Sequence, residues 1–268
     1  MQKAAANCYP YTVLSNTPVG DKIFHMKMSI SRELASSLEP GMFVNVAVPH
    51  NPAHLLRVPL SFSAVDAHEG TLDLVYAVVG DATERMSRMV PDEESTVVGP
   101  LGHGWWIPTH VRAGDRCVVV AGGVGAPPIV AAARMLRQEG IQVDAIIGAK
   151  SSTCLWHGAK DSLANMGCTV IVTTDDGSEG IPGFTTQALE ELLDRNDYAA
   201  CFTCGPGVMM KGVSKLAEAH GVFCEVSLER MMGCGFGACN TCNVERVGGG
   251  YASCCTDGPV FSAEEVVL

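Results

Sequence analysis

Five cysteines near the end of the chain are the residues best spaced for chemistry. Cys234, Cys239 and Cys242 stand in C-x4-C-x2-C spacing among glycines, and the pair Cys254-Cys255 follows a short excursion later. A [2Fe–2S] cluster needs four thiolates, and a tight three-cysteine loop with a distal fourth ligand is the plant-type ferredoxin spacing. Gly235, Gly237 and Ala238 are small enough for the backbone to wrap an inorganic core and aim N–H groups at its sulfurs. A structural zinc site competes, because Cys239-x2-Cys242 and Cys254-Cys255 could supply an all-thiolate tetrahedron. Zinc ribbons use two separated C-x2-C knuckles, however, and one is present here. Plain structural cysteines are the third reading.

A second site is signalled by Gly122-Gly123-Val124-Gly125-Ala126-Pro127-Pro128, which follows the apolar run 117–121 and precedes a helical pattern over 129–138. Strand, glycine loop and helix let the backbone approach a pyrophosphate and aim a helix N-terminus at it, although the strict G-x-G-x-x-G fingerprint is absent. A simple glycine turn is the alternative. Buried-type strands recur at 143–147, 169–173 and 199–203, with helices at 161–165, 185–193 and 208–220, which implies a parallel sheet covered on both faces. Polar groups follow the strand ends, where open α/β sheets bind ligands. They are Thr174-Asp175-Asp176-Gly177-Ser178 and Cys204-Gly205-Pro206-Gly207. The acidic pair near a ribose favours free hydroxyls, hence NAD over NADP, and no arginine follows Gly148-Ala149-Lys150-Ser151 to receive a 2′-phosphate. Cys204 reads either as a core thiol or as a group beside the nicotinamide; no base adjoins it in sequence, so a nucleophilic role has no support.

The first hundred residues alternate over short segments at 11–14, 23–30, 42–48, 60–64, 72–79 and 95–98, punctuated by Gly20-Asp21, Pro40-Gly41, Glu69-Gly70 and Pro91-Asp92. Six strands and one helix, at 81–89, predict a small antiparallel barrel. Arg57-Val58-Pro59-Leu60-Ser61-Phe62-Ser63 puts a cation and two hydroxyls where a strand begins. Gly80-Asp81-Ala82-Thr83 opens the helix and suits a phosphate. A surface arginine and an ordinary capped helix are the bland readings of these two stretches. Residues 99–104 read as a loop closing the barrel, and 107–114 as a linker.

The 268 residues carry a net charge of −11 without a basic cluster, which argues against nucleic acid and an anionic membrane surface as partners. The best apolar run, 117–133, is interrupted by Gly122-Gly123 and Pro127-Pro128 and is no membrane span. Twelve cysteines without a secretion-type N-terminus point to metal or redox use in a reducing cytoplasm.

Barrel, nucleotide sheet and ferredoxin-type cysteines in this order resemble the electron-transfer subunits of NAD-linked (type B) dihydroorotate dehydrogenases, within the ferredoxin–NADP reductase superfamily. The resemblance covers nearly the whole chain. Its most specific stretch is Glu225-Val226-Ser227-Leu228-Glu229-Arg230-Met231-Met232-Gly233-Cys234, continuing through Cys255-Thr256-Asp257-Gly258-Pro259-Val260-Phe261. It implies a flavin-binding barrel (1–108), an NAD-binding α/β domain (109–223) and a [2Fe–2S] module (224–268). It implies Cys255, just before the acidic-Gly-Pro-Val-Phe segment, as the fourth ligand beside Cys234, Cys239 and Cys242, with Cys254 a neighbour. FAD is expected on Arg57, Val58, Pro59, Leu60, Ser61, Val75, Tyr76, Ala77, Ala82 and Thr83. NAD is expected on Gly122, Gly123, Gly125, Asp175, Cys204 and Gly205.

Two departures stand out. Val58 occupies the place of the family's flavin-motif arginine, with Arg57 one residue earlier, and Tyr76-Ala77 replaces a Tyr-Arg pair. Each charge-assisted phosphate contact is worth roughly 1.5–3 kcal/mol, so the resemblance implies weaker flavin binding unless Arg57 covers part of the loss. The implied electron order is dihydroorotate, FMN in a catalytic partner subunit, this cluster, this FAD, then NAD+, in a heterotetramer. Two other functions compete: a similar NAD(P)H–flavin–[2Fe–2S] module serving another oxidoreductase or a bifurcating complex, and a zinc-stabilised nucleotide-binding regulator.

Overall fold

The structure is a computed structural model that describes residues 6–49 and 56–268. The N-terminal half of the fold is the expected barrel. Strands β1 (Asn7–Gly20), β2 (Ile23–Ser29), β3 (Phe43–Val46), β4 (Val58–Asp66), β5 (Thr71–Ala77) and β6 (Glu94–Leu101) close in the order β1-β2-β5-β4-β3-β6. All neighbours are antiparallel. Alternation sends Val44, Val46, Phe62, Leu72, Leu74 and Tyr76 into one interior core with Met26 and Met28. Two short helices, α1 (Arg32–Ser37) and α2 (Asp81–Ser87), interrupt the strands. Helix α1 has no counterpart in the sequence reading, because six residues with Leu34 and Ala35 as the buried pair leave too little period to detect.

Two barrel expectations change. Strand β1 is far longer than the segment 11–14, since it continues through Pro10 and Pro18; register shifts at Val13/Ser15 and Pro18/Gly20 absorb the irregularity. The loop expected over 99–104 is strand for its first half, as β6 carries Gly99, Pro100 and Leu101.

The second unit is a sheet of seven strands in the order β10-β9-β8-β7-β11-β12-β15. Its members are β7 (Arg116–Gly122), β8 (Gln142–Ala149), β9 (Thr169–Thr174), β10 (Ile181–Pro182), β11 (Ala200–Cys204), β12 (Phe223–Ser227) and β15 (Val260–Ser262). All pairs are parallel except β12 with β15. Helices α3 (Ala126–Gln138), α4 (His157–Asn165), α5 (Thr185–Leu193) and α6 (Gly207–Ala219) fill the connections. Pro127 and Pro128 sit in the first turn of α3, where missing N–H groups cost nothing. Strand β12 begins at Phe223, so the sheet runs on into the cysteine segment, and β15 returns from that segment to pair with it. A small hairpin, β13 (Asn243–Glu245) with β14 (Tyr251–Ser253), completes the C-terminal part.

Two apolar seams join the barrel to its neighbours. Ile23 and Val75 on the barrel exterior join Trp105 and the α3 side of the sheet. Trp105 donates its indole N–H to Pro128 O at 3.0 Å and meets Phe202 edge-on at 5.8 Å. On the other side Phe43 and Leu101 join Cys242, Cys254, Cys255 and Phe261.

One polar group strains this interior. Glu225 on β12 is fully buried, with one carboxylate oxygen accepting from Trp106 N at 3.3 Å and the other unpartnered. Burial pushes its carboxyl up to about 9, from an ordinary 4.5. The folded chain therefore holds a proton that the unfolded chain releases above about 4.5, and stability falls as pH rises from there until the folded carboxyl ionises near 9. Denaturant unfolding should show a slope of up to about 1.4 kcal/mol per pH unit in that window. Glu225→Gln should flatten that slope and stabilise the chain at pH 8.

Candidate functional site

Three neighbouring barrel strands present one outward face. Phe43 and Asn45 on β3 lie opposite Ser61 and Pro59 on β4, and Val75 and Ala77 follow on β5. This strip lies between the two apolar seams, and it contains Pro59, Ser61, Val75 and Ala77 from the expected flavin set. Leu60 packs against the barrel interior. Strand parity turns the Tyr76 ring into the barrel core, where its hydroxyl donates to Asn16 Oδ1 at 3.0 Å. Only its backbone can serve the outward face. Val58 is buried. Arg57 is engaged on β6, donating to Thr96 O at 2.8 Å and Thr96 Oγ1 at 2.9 Å, so it is not held free as a substitute cation.

At the start of α2 the Thr83 hydroxyl accepts from Val79 N at 2.9 Å and Gly80 N at 3.1 Å and donates to Gly80 O at 2.9 Å. It shapes the turn, while the first-turn amides, Ala82 among them, have no partner within the helix by geometry.

The nucleotide loop is built by close approach of backbones. A Cβ on Gly125 would stand 2.2 Å from Cys204 O, and one on Gly122 would stand 2.6 Å from Met209 Sδ. Gly205, at φ +154, faces Gly122 N at 2.9 Å in the same sense. The ends of β7 and β11 are therefore in contact, and Gly122, Gly125 and Gly205 are glycines for packing. Gly123, at φ +53, faces open space. Cys204 ends β11 beside Ala121 and Ser227, and burial pushes its thiol up to about 12, which keeps it protonated and not nucleophilic. At the end of β9, Asp176 accepts from Ser178 N at 3.0 Å and Ser178 Oγ at 2.6 Å, which holds its carboxyl below the ordinary carboxylate range. Asp175 has no such commitment and is exposed, its amide donating to Ala149 O at 3.1 Å.

Amide and hydroxyl donors reach the sulfurs of the cysteine loop. Cys234 N donates to Cys239 Sγ at 3.4 Å, and Cys255 N donates to Cys242 Sγ at 3.4 Å. Ala238 N reaches Cys234 Sγ at 3.2 Å and the Thr241 hydroxyl reaches Cys239 Sγ at 3.1 Å. The Thr241 hydroxyl, followed by the Cys234 amide, lowers the exposed Cys239 thiol to about 6. Burial pushes Cys255 up to about 12, partly offset by the Gly237 amide. Cys254 turns the other way: its thiol donates to Leu228 O at 3.2 Å in the core, and burial holds it near 12. Backbone N–H groups aimed at the sulfurs of Cys234, Cys239 and Cys242 would suit thiolates holding a [2Fe–2S] cluster. Cys234, Cys239, Cys242 and Cys255 thus fit the cluster, and Cys254 is its neighbour. Thr241 and Asn45 are participants the sequence reading missed, since nothing in their spacing marks them.

A closed antiparallel barrel, a parallel nucleotide-type sheet and a ferredoxin-type cysteine loop define a flavin reductase of the ferredoxin–NADP reductase class with an iron–sulfur module. The family model for the iron–sulfur cluster binding domain of dihydroorotate dehydrogenase B matches residues 229–267. The chain is 34% identical over 259 residues to the dihydroorotate dehydrogenase B (NAD(+)) electron transfer subunit of Geobacillus thermodenitrificans, covering 96% of this chain and 97% of that one. The subunit from Desulforamulus reducens is 34% identical over 258 residues, covering 95% and 96%. The chain belongs to the family of dihydroorotate dehydrogenase B electron-transfer subunits. Among solved structures, an NADH-dependent reduced ferredoxin-NADP oxidoreductase, described for flavin-based electron bifurcation, superposes with TM-score 0.83 at 28% identity over 100% of this chain and 91% of that chain. The ferredoxin reductase in carbazole 1,9a-dioxygenase shares the fold, with TM-score 0.69 at 17% identity over 82% and 67%.

Two consequences can be measured. Cys255→Ser should lose the cluster by iron analysis and visible absorption, while Cys254→Ser should retain it. Gly125→Ala, which drives a methyl into Cys204 O, should destabilise by about 1–3 kcal/mol in urea unfolding and weaken NADH binding. Gly123→Ala should cost only the local price of its positive φ, about 1 kcal/mol.

Proposed function

We propose that this chain carries electrons between a catalytic dihydroorotate dehydrogenase subunit and NAD+, using one [2Fe–2S] cluster and one FAD. The observation that carries the reading is the amide-supplied loop of Cys234, Cys239 and Cys242 with Cys255 beside it, packed on the same barrel that presents the Pro59–Ser61 strip. A bound flavin exchanges a hydride with nicotinamide and single electrons with a cluster, which is why both belong in one chain. The chain's own residues position these groups. Pro59, Ser61, Val75 and Ala77 form the flavin platform, and Ala82 and Thr83 offer amides to its phosphates. Gly123 opens the pyrophosphate loop, Asp175 stands free for a ribose, and Gly122, Gly125 and Gly205 hold the loop's shape. Cys204 is a neutral thiol at the floor of the nicotinamide cleft.

The modules divide at 1–108, 109–223 and 224–268, the last sharing the sheet through β12 and β15. The catalytic partner holds FMN, and two copies of each subunit form a heterotetramer in the cytoplasm. Support for that compartment is that the described cysteines are all free thiols and that no described helix is long and apolar enough to cross a membrane.

A second reading has its own support: the 28% identity and full coverage by a structure described for electron bifurcation favour a similar module serving a different oxidoreductase. Val58 and Ala77, which stand where the family motif has arginines, point the same way. Reconstitution with a dihydroorotate dehydrogenase catalytic subunit separates the two. Dihydroorotate-driven reduction of NAD+ should appear with the pair and fall to background with Cys239→Ser, whose barrel still folds. No NAD+ reduction with the cognate catalytic subunit, from a chain that holds both cofactors, would favour the second reading.

A further inference from the structure

Asn45 is a buried polar residue on an otherwise apolar outer face. On β3, Val44 and Val46 point into the barrel, whereas Phe43 and Asn45 point outward, and Phe43 is covered by Leu101 and the cysteine module. Asn45 is 1% exposed. Its Nδ2 donates to Cys234 O at 3.2 Å, while its Oδ1 has no partner. A buried acceptor without a donor is unfavourable, and a valine of similar size would pack here without that penalty.

The contact is made possible by the loop. Gly235 holds φ +81, and a Cβ there would stand 2.6 Å from Asn45 Nδ2. The residue that Asn45 grips is itself wired to the thiols: Cys234 N donates to Cys239 Sγ at 3.4 Å, and Cys234 Sγ accepts from Ala238 N at 3.2 Å. On the other side Asn45 lies directly opposite Pro59 in the flavin strip. One side chain thus touches the backbone of one cysteine pair and sits in register with the strand beside the flavin.

We propose that Asn45 is a positioning residue that clamps the Cys234–Cys239 half of the cluster site onto the flavin-bearing barrel, so that the cluster's geometry and its electron exchange with the flavin depend on the Asn45–Cys234 hydrogen bond. The proposal rests on the cluster and flavin assignments above. It adds that the outer wall of the flavin barrel orients the cluster through the first ligand's own peptide.

The test uses the full-length, cofactor-loaded chain. Asn45→Val removes the donor and keeps the volume; Asn45→Asp keeps the shape and replaces the donor by an acceptor. In both, iron and flavin contents should stay near wild type. The electron paramagnetic resonance signal of the reduced cluster and its midpoint potential should shift, and flavin-to-cluster transfer in stopped flow should slow by about tenfold, the factor matching one ordinary hydrogen bond. Wild-type signal, potential and rate in either variant would overturn the clamp. If neither variant folds, hydrogen exchange on the loaded wild-type chain decides. The clamp requires the Gly235 amide region to be better protected than the exposed glycines 248–250, and equal exchange would overturn it. Iron, flavin and NADH bleaching of the wild type test the underlying assignment separately, so its failure cannot be mistaken for failure of the clamp.

Discussion

The outward face of β3, β4 and β5 is the constraint on which the rest depends. The barrel fills its interior with its own side chains, so its outer wall is available for three tasks at once. At one side Ile23 and Val75 seat the nucleotide sheet, at the other Phe43 and Leu101 seat the cysteine module, and Pro59 and Ser61 lie between them. A hydride acceptor and a one-electron carrier can be coupled only if both lie close to the same flavin and stay there. Apolar seams on one rigid wall achieve this, because packed interfaces do not deform continuously. The antiparallel return of β15 onto β12 ties the cysteine segment into the sheet, so the module is anchored to both neighbours.

Backbone, more than side-chain charge, builds the binding surfaces. The glycine loop exists because β7 and β11 touch at Gly125 and Cys204, the α2 turn is shaped by the Thr83 hydroxyl, and the thiol pairs are fed by amides of Cys234, Ala238 and Cys255. Among the described residues along this strip, Val58 is buried, Ala77 carries no charge, and Arg57 binds Thr96.

Much of the fold, and the candidate site as a pattern, was legible in the sequence for a physical reason. Metal coordination forces local spacing, so C-x4-C-x2-C appears as a pattern, and glycines mark positions where backbones meet. The barrel and the parallel sheet were legible from alternation and from continuous apolar runs. What escaped depended on long-range pairing. Strands β12 and β15 are short, and β15 is recruited from the far side of the cysteine loop. A motif names a position without settling strand parity, so that the Tyr76 ring faces the barrel core could be seen only in the structure. Asn45 lies nearly two hundred residues from the carbonyl it binds, and Glu225 reads as an ordinary acidic residue until its burial is seen.

The most direct test is the visible spectrum of the isolated chain, purified without oxygen and loaded with iron, sulfide and FAD, recorded before and after NADH and, separately, NADPH. Flavin bands with a broad iron–sulfur shoulder, both bleached by NADH, are the predicted result. A colourless zinc-containing protein, or a flavin that NADH reduces while the cluster stays oxidised, would contradict the account.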